Sequence, residues 1–293
     1  MVDLQSLVKA GLHFGHKKSR WCPKMAPYIW GYKNDIHLID VSKTARQLEK
    51  AASFLKGVAA EGKTILWVGT KKAAQDAIAA VGEQLNMPCV NHRWIGGSLS
   101  NHSQVKKSVT KLLHYQDVLD RSEQFSYKKK ELNTYQKLVD RLEKNIGGIK
   151  KMEWPVGAVV LIDARKERSA LREASSTGVP VVALVDTNTD PSMVDYVIPG
   201  NDDIPRAINF VLDYLVAAVQ EGLQEAKNKK AQEDALAAER AAARKEAAKK
   251  SVAAVKSDKK EAAPIKEQAK PAAAAKKVEP KKAEENSEDS STN

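Results

Sequence analysis

Three short runs of unbroken apolar residues constrain this chain more than anything else in it: Thr64-Ile65-Leu66-Trp67-Val68-Gly69, Ala158-Val159-Val160-Leu161-Ile162-Asp163 and Val179-Pro180-Val181-Val182-Ala183-Leu184-Val185-Asp186. Each is rich in β-branched residues, and none alternates apolar with polar. A strand of that kind is buried on both faces, which is the condition of a parallel sheet covered by helices. Shorter candidates lie at 36–41, 89–92 and 196–198. Helical periodicity fills the intervals at 44–60, 73–85, 167–176 and 204–223. Strand, crossover helix and strand in succession predict an α/β domain, Rossmann-like, with a parallel sheet as the middle of three layers.

Each predicted strand runs into a polar, glycine-rich or acidic turn. These are Gly69-Thr70-Lys71-Lys72, His92-Arg93-Trp94-Ile95-Gly96-Gly97, Asp163-Ala164-Arg165-Lys166, Asp186-Thr187-Asn188-Thr189-Asp190-Pro191 and Gly200-Asn201-Asp202-Asp203. In an open parallel sheet such turns collect along one edge, where ligands bind. Some of these polar residues serve instead as helix caps, for which Thr70, Asp163 and Asp190 are suitable by type.

One insertion interrupts the alternation. Val105, Val109, Leu112, Gln116 and Leu119, then Leu132, Tyr135, Val139, Leu142, Ile146 and Ile149, recur at spacings of three and four. Two narrow stripes separated by a polar turn predict an antiparallel coiled-coil hairpin over residues 103–150, protruding from a body made of 1–102 and 151–223. From 224 to 293 the chain is mainly Ala, Lys and Glu, and large apolar residues almost vanish. Strong helix formers extend to 250, so a solvated helical continuation is expected there, followed from 251 by a segment too polar to offset its ordering entropy.

The 293 residues carry a formal net charge of +11, which predicts attraction to nucleic acid or to anionic lipid. Lys17, Lys18, Arg20 and Lys24 lie with histidines and Trp21 in Gly11-Leu12-His13-Phe14-Gly15-His16-Lys17-Lys18-Ser19-Arg20-Trp21-Cys22-Pro23-Lys24-Met25, where glycines and a proline oppose regular structure. Cations meet phosphates and flat side chains meet bases, so such a loop suits RNA. No apolar run reaches the ~18 residues of a membrane span, and the N-terminus lacks the pattern of a secretory signal, so a cytoplasmic protein without membrane contact is expected. Cys22 and Cys89 are far apart and belong to no metal-binding pair; two free thiols are the expectation.

Catalytic signatures are missing from the sequence. Gly69-Thr70-Lys71-Lys72 has one glycine and the wrong spacing for a phosphate loop. No dinucleotide fingerprint or nucleophile elbow occurs. Asp186, Asp202 and Asp203 stand at predicted strand ends and can meet His16 at the same edge. One histidine with carboxylates makes an acceptable divalent site, for zinc or magnesium; the alternative is a set of ordinary hydrogen-bonded polar residues.

These segments resemble the bacterial small-subunit ribosomal protein S-two family. The likeness is carried by Ala10-Gly11-Leu12-His13-Phe14-Gly15-His16 with Arg20-Trp21-Cys22-Pro23-Lys24-Met25, and by Ile65-Leu66-Trp67-Val68-Gly69-Thr70-Lys71-Lys72. Asn91-His92-Arg93-Trp94-Ile95-Gly96-Gly97, Gly147-Gly148-Ile149-Lys150, residues 180–191 and Tyr196-Val197-Ile198-Pro199-Gly200-Asn201-Asp202-Asp203 follow in the family's order. Departures are Cys22 for the usual asparagine, Ser98-Leu99-Ser100-Asn101 for a Met- or Thr-Leu-Thr-Asn run, a loosely similar hairpin and the long tail.

The resemblance implies a non-catalytic protein bound to small-subunit ribosomal RNA between head and body, beside other small-subunit proteins. It also implies help in docking ribosomal protein S-one, and a metal pocket of His16, Asp186, Asp202 and Asp203 found in some relatives. No cofactor is required and no small-molecule substrate is expected. Residues expected at RNA are Lys17, Lys18, Arg20, Trp21, Lys24, Lys71, Lys72, Arg93, Trp94, Lys106 and Lys107, with the cations on phosphates and the indoles on bases. Two competing readings are an α/β enzyme acting on a phosphorylated metabolite at the strand-end crevice, and a receptor for a protein partner through the hairpin.

Overall fold

A computed structural model describes residues 2–121 and 128–258, with side chains described as far as residue 233. The chain forms two compact units, residues 1–234 and 235–293.

The first unit is built on a five-stranded parallel sheet of β4 (Thr64–Val68), β5 (Cys89–Val90), β6 (Val156–Ile162), β7 (Val181–Val185) and β8 (Tyr196–Pro199), in the order β5-β4-β6-β7-β8. The helices of this unit are α1 (Leu4–Ala10), α2 (Val41–Ala60), α3 (Gln75–Leu85), α4 (His102–Asp120), α5 (Lys129–Ile146), α6 (Arg168–Thr177) and the start of α7 (Pro205–Asp258). The strands bury alternate residues in two separate cores. Ile65, Trp67, Ala158, Val160, Ile162, Val182, Leu184 and Ile198 meet α1, α2, α3 and α7. Leu66, Val68, Val159, Leu161, Val181, Ala183, Val185 and Val197 meet α6 and the base of the α4–α5 pair. This is the predicted three-layer arrangement, and it explains why the three sequence runs have no polar face.

Helix sides follow from handedness. From β4 the chain crosses through α3 to β5 on one side, and from β6 through α6 to β7 on the other. Right-handed crossovers in opposite directions put α3 and α6 on opposite faces. The order reverses between β4 and β6, and there the loops after the two strands diverge to leave a crevice.

The sequence run at 36–41 does not join this sheet. β3 (Ile36–Ile39) is the middle strand of a small antiparallel sheet with β1 (Phe14–Lys17) and β2 (Ile29–Lys33). The loop expected to be irregular from 11 to 25 therefore contains a strand. Tertiary pairing outweighs the local breakers: Gly11 closes α1 in the left-handed region (φ 84°), and Gly15 lies where a Cβ would meet the Thr187 side chain at 2.6 Å. Short 3-10 turns at Lys18–Arg20 and Pro23–Tyr28 carry the rest of this loop. The segment is fastened to the parallel sheet's C-terminal edge. The His16 amide donates to Thr187 Oγ1 (2.9 Å), the Cys22 amide to the Thr187 carbonyl (2.7 Å), and the Asn201 amide to the Leu12 carbonyl (3.1 Å).

α4 and α5 pair with Leu112 and Val139 buried between them, and Val105 and Ile146 join the second core. The structure gives the pairing and defines no supercoil; the predicted polar turn falls on residues 122–127, outside the described ones. At the hairpin's exit, Gly148 lies so close to the Cys89 carbonyl that a Cβ would collide with it, and this covers the outer edge of β5. The second unit contains the continuation of α7 to Asp258. Disorder was expected from 251, yet residues 251–258 are helical, in keeping with their alanine content; the remainder lies outside the described residues.

Candidate functional site

The loops that leave β4, β6, β7 and β8 converge on one edge, and β1 crosses it. Asp186 ends β7 and is fully buried. Its Oδ1 accepts from the Thr187 amide (2.5 Å) and hydroxyl (3.0 Å), leaving Oδ2 against His16 Nδ1 at 2.8 Å. His16 Nε2 lies 3.4 Å from Asp203 Oδ2. Asp202, also fully buried, binds Lys71 Nζ through Oδ1 at 2.8 Å. Lys71 also reaches Asp203 Oδ1 (2.5 Å) and Asp163 Oδ2 (3.5 Å). The geometry thus unites the four residues proposed for a metal from sequence.

Electrostatics here are dominated by negative charge. The hydrogen bond to Asp186 raises the His16 pKa against the opposing effect of burial. Burial, with repulsion from Asp163 and Asp186, raises Asp202 to about 7, although Lys71 pulls the other way. The Lys71 ammonium is held charged by Asp202 and Asp203 despite its own desolvation. One ligand atom from each of His16, Asp186, Asp202 and Asp203 lies within 4.8 Å of the others. Asp202 Oδ2 is buried with no hydrogen-bond partner among the described residues. A buried carboxylate oxygen without a partner is costly, and a cation at this point would satisfy it. The donor set, one imidazole and three carboxylates, fits a divalent ion.

Beside this pocket lies the crevice between β4 and β6, where a doubly wound enzyme would seat its ligand. Here it is filled from within. The Thr70 amide donates to Glu167 Oε1 (3.1 Å) and the Thr70 hydroxyl binds the same oxygen. Lys166 Nζ (2.9 Å) and Gln75 Nε2 (3.0 Å) both donate to the Thr70 carbonyl. Glu167 is buried, and its desolvation raises its pKa against the pull of these bonds.

The expected basic residues lie at the surface. Lys17, Lys18, Arg20, Trp21, Lys24, Lys72, Arg93, Lys106 and Lys107 are all exposed. Lys17, Arg20, Lys72, Arg93, Lys106 and Lys107 make no ion pair among the described residues. Lys24 is held by Asp190 at 2.8 Å, and this bond depresses the Asp190 pKa to about 2. Lys18 sits over the Tyr32 ring, 4.6 Å from its centroid.

Two residues expected at RNA have internal partners. Lys71 is turned into the acidic pocket, where Asp163, Asp202 and Asp203 hold its ammonium more firmly than solvent does. Trp94 is 8 % exposed, and its indole N–H donates to Glu173 at 3.2 Å, so its faces are packed and not offered to a base. Thr70 binds Glu167 and caps no helix. Sequence reading missed Glu167 and Glu173, whose partners are remote in the chain, and it missed Trp30. Trp30 stands 76 % exposed at a bulge of β2, close in sequence to exposed Tyr32. Its signal was present in an aromatic pair two residues apart within Ile29-Trp30-Gly31-Tyr32-Lys33.

A parallel-sheet fold whose strand-end turns bond to one another, with surface cations that make no ion pair among the described residues, defines a class: an α/β protein with a basic surface. The chain belongs to the ribosomal protein S2 family, whose sequence model matches residues 7–222. It is accordingly a small-subunit ribosomal protein, and the family is structural, not enzymatic.

Proposed function

We propose that this chain is an RNA-binding structural constituent of the small ribosomal subunit, seated between its head and body in the cytoplasmic ribosome. The observation that carries this reading is the group of exposed cations, Lys17, Arg20, Lys72, Arg93, Lys106 and Lys107, that have no ion-pair partner among the described residues. Such cations neutralise phosphates, whereas paired ones would first have to give up a carboxylate. Trp21, exposed beside Lys18 and Arg20, supplies a flat surface for an unpaired base. The Glu167-filled crevice argues against a metabolite enzyme, because the amide and hydroxyl of Thr70 are already spent.

Two finer roles accompany it. A divalent ion, zinc or magnesium, sits among His16, Asp186, Asp202 and Asp203 and pins the small antiparallel sheet to the parallel one. Trp30 and Tyr32 are large, exposed and two residues apart on β2 of that small sheet, and exposed aromatic patches are interaction surfaces. We assign the docking of ribosomal protein S-one to them.

The test is co-sedimentation with small subunits at increasing salt. Tight binding that weakens steadily with salt is expected, and alanines at Lys17, Lys18 and Arg20 should flatten that dependence. A protein that stays off small subunits even at low salt would overturn the reading.

A further inference from the structure

Among the described residues Lys71 is the one ammonium that pairs with the pocket's Asp163, Asp202 and Asp203, and its position is separate from any metal ligand. Four carboxylates, Asp163, Asp186, Asp202 and Asp203, face one another here with Lys71 and His16. Even with His16 protonated, the pocket holds more negative than positive charge. Lys71 bridges Asp202 Oδ1 and Asp203 Oδ1, at 2.8 and 2.5 Å. The second oxygens of these groups are the ones left toward the metal side. Asp203 Oδ2 lies 3.4 Å from His16 Nε2, and Asp202 Oδ2 has no partner among the described residues.

We infer that Lys71 is a resident counter-cation, which lets the acidic pocket fold before a divalent ion arrives and limits how strongly that ion is held. The inference rests on the metal reading given above. An uncompensated group of buried carboxylates opposes folding strongly, so one internal ammonium makes the difference between a pocket that assembles empty and one that needs its ion. The same ammonium repels an incoming divalent cation from close range, and at protein-interior dielectric this repulsion outweighs the small orienting benefit of its hydrogen bonds. A ribosomal protein made before it meets its RNA gains from a body that folds regardless of metal supply.

The experiment compares the full chain with Lys71→Met and Lys71→Arg, each melted in EDTA and in excess zinc, with zinc affinity measured by competition against a chromophoric chelator. In EDTA, Lys71→Met should melt about 5–10 °C below the parent, while Lys71→Arg stays near it. Zinc should restore most of that loss, and Lys71→Met should hold zinc about tenfold more tightly than the parent. If Lys71→Met does not fold in EDTA but folds in zinc, the proposal stands. Lys71→Gln carries the same comparison should Lys71→Met fold in neither. A zinc response in Lys71→Met and Lys71→Gln equal to the parent's would overturn the proposal while leaving the metal reading intact. A parent chain that takes up no zinc, with Asp202→Asn behaving identically, would overturn the metal reading itself.

Discussion

The Trp94 indole N–H donates to the Glu173 carboxylate at 3.2 Å, and Glu173 ties three points of the loop after β5 to α6. Glu173 Oε1 also accepts from the Gly97 amide (2.7 Å), and Oε2 from the Leu99 amide (3.2 Å). Exposed Arg93 stands at the start of that loop. Glu173→Ala leaves three donors without their acceptor and should cost about 2–3 kcal/mol. Glu173→Gln keeps one good acceptor and should cost less. Chemical denaturation followed by Trp fluorescence checks both; an unchanged midpoint for Glu173→Ala would remove Glu173 from this role.

Gly148→Ala tests how the hairpin closes the sheet. The new methyl group must displace either the Cys89 carbonyl or the turn at Gly147–Ile149. Overpacking of this kind costs about 1–3 kcal/mol. Amides of β5 and the adjoining turn should exchange faster with solvent, while those of β7 keep their protection.

Alanines at Lys17, Lys18 and Arg20 should leave the melting temperature nearly unchanged, because exposed substitutions cost within about 0.5 kcal/mol each. Lys18 also gives up its contact with Tyr32, a further ~0.5–1 kcal/mol. Affinity for small-subunit RNA should fall, with the salt slope shallower by roughly one for each phosphate contact removed. Loss of the folded state in this variant would contradict the surface assignment.

Trp30→Ala should fold like the parent, since the side chain packs against little. It should lose binding to isolated ribosomal protein S-one while retaining RNA. A pull-down with both partners separates the two effects; equal S-one capture by the parent and the variant would reject Trp30 as a docking residue.

In chelator, the acidic pocket should make the protein less stable as pH rises. His16 and Asp202 both bind protons more tightly folded than unfolded. Their contribution is therefore full below the unfolded values, about 6.5 for imidazole and about 3.9 for the carboxyl, and is lost as pH climbs through the higher folded ones. For Asp202 that loss is complete a little above its folded value of about 7. Bound zinc should reverse the trend, because its ligands must be deprotonated. Thermal melts across neutral pH, with zinc and with EDTA, check this; parallel curves in the two conditions would reject the pocket as a metal site.

Much of the scaffold could be read directly. The aliphatic runs gave β4, β6 and β7 to within about two residues, because burial on both faces leaves the same mark in any chain. The antiparallel strands were harder. β1 and β2 hold glycines and exposed aromatics, and only their pairing with β3 makes them strands. The metal candidates were found through strand ends and resemblance, whereas the internal partners of Lys71 and Trp94 were not legible. Asp202 lies 131 positions beyond Lys71, so its charge looked available. Glu173 lies 79 positions from Trp94.

The sequence by itself determined the layer architecture, the inserted hairpin and the positive charge that points to RNA, because hydrophobic periodicity and net charge are local or additive properties. Only the tertiary structure decided which cations are available for phosphate and which are consumed inside, and whether the strand-end crevice stays open. Those outcomes depend on ion pairs and hydrogen bonds between residues brought together by the crossovers, and a linear pattern holds no record of which side chain meets which.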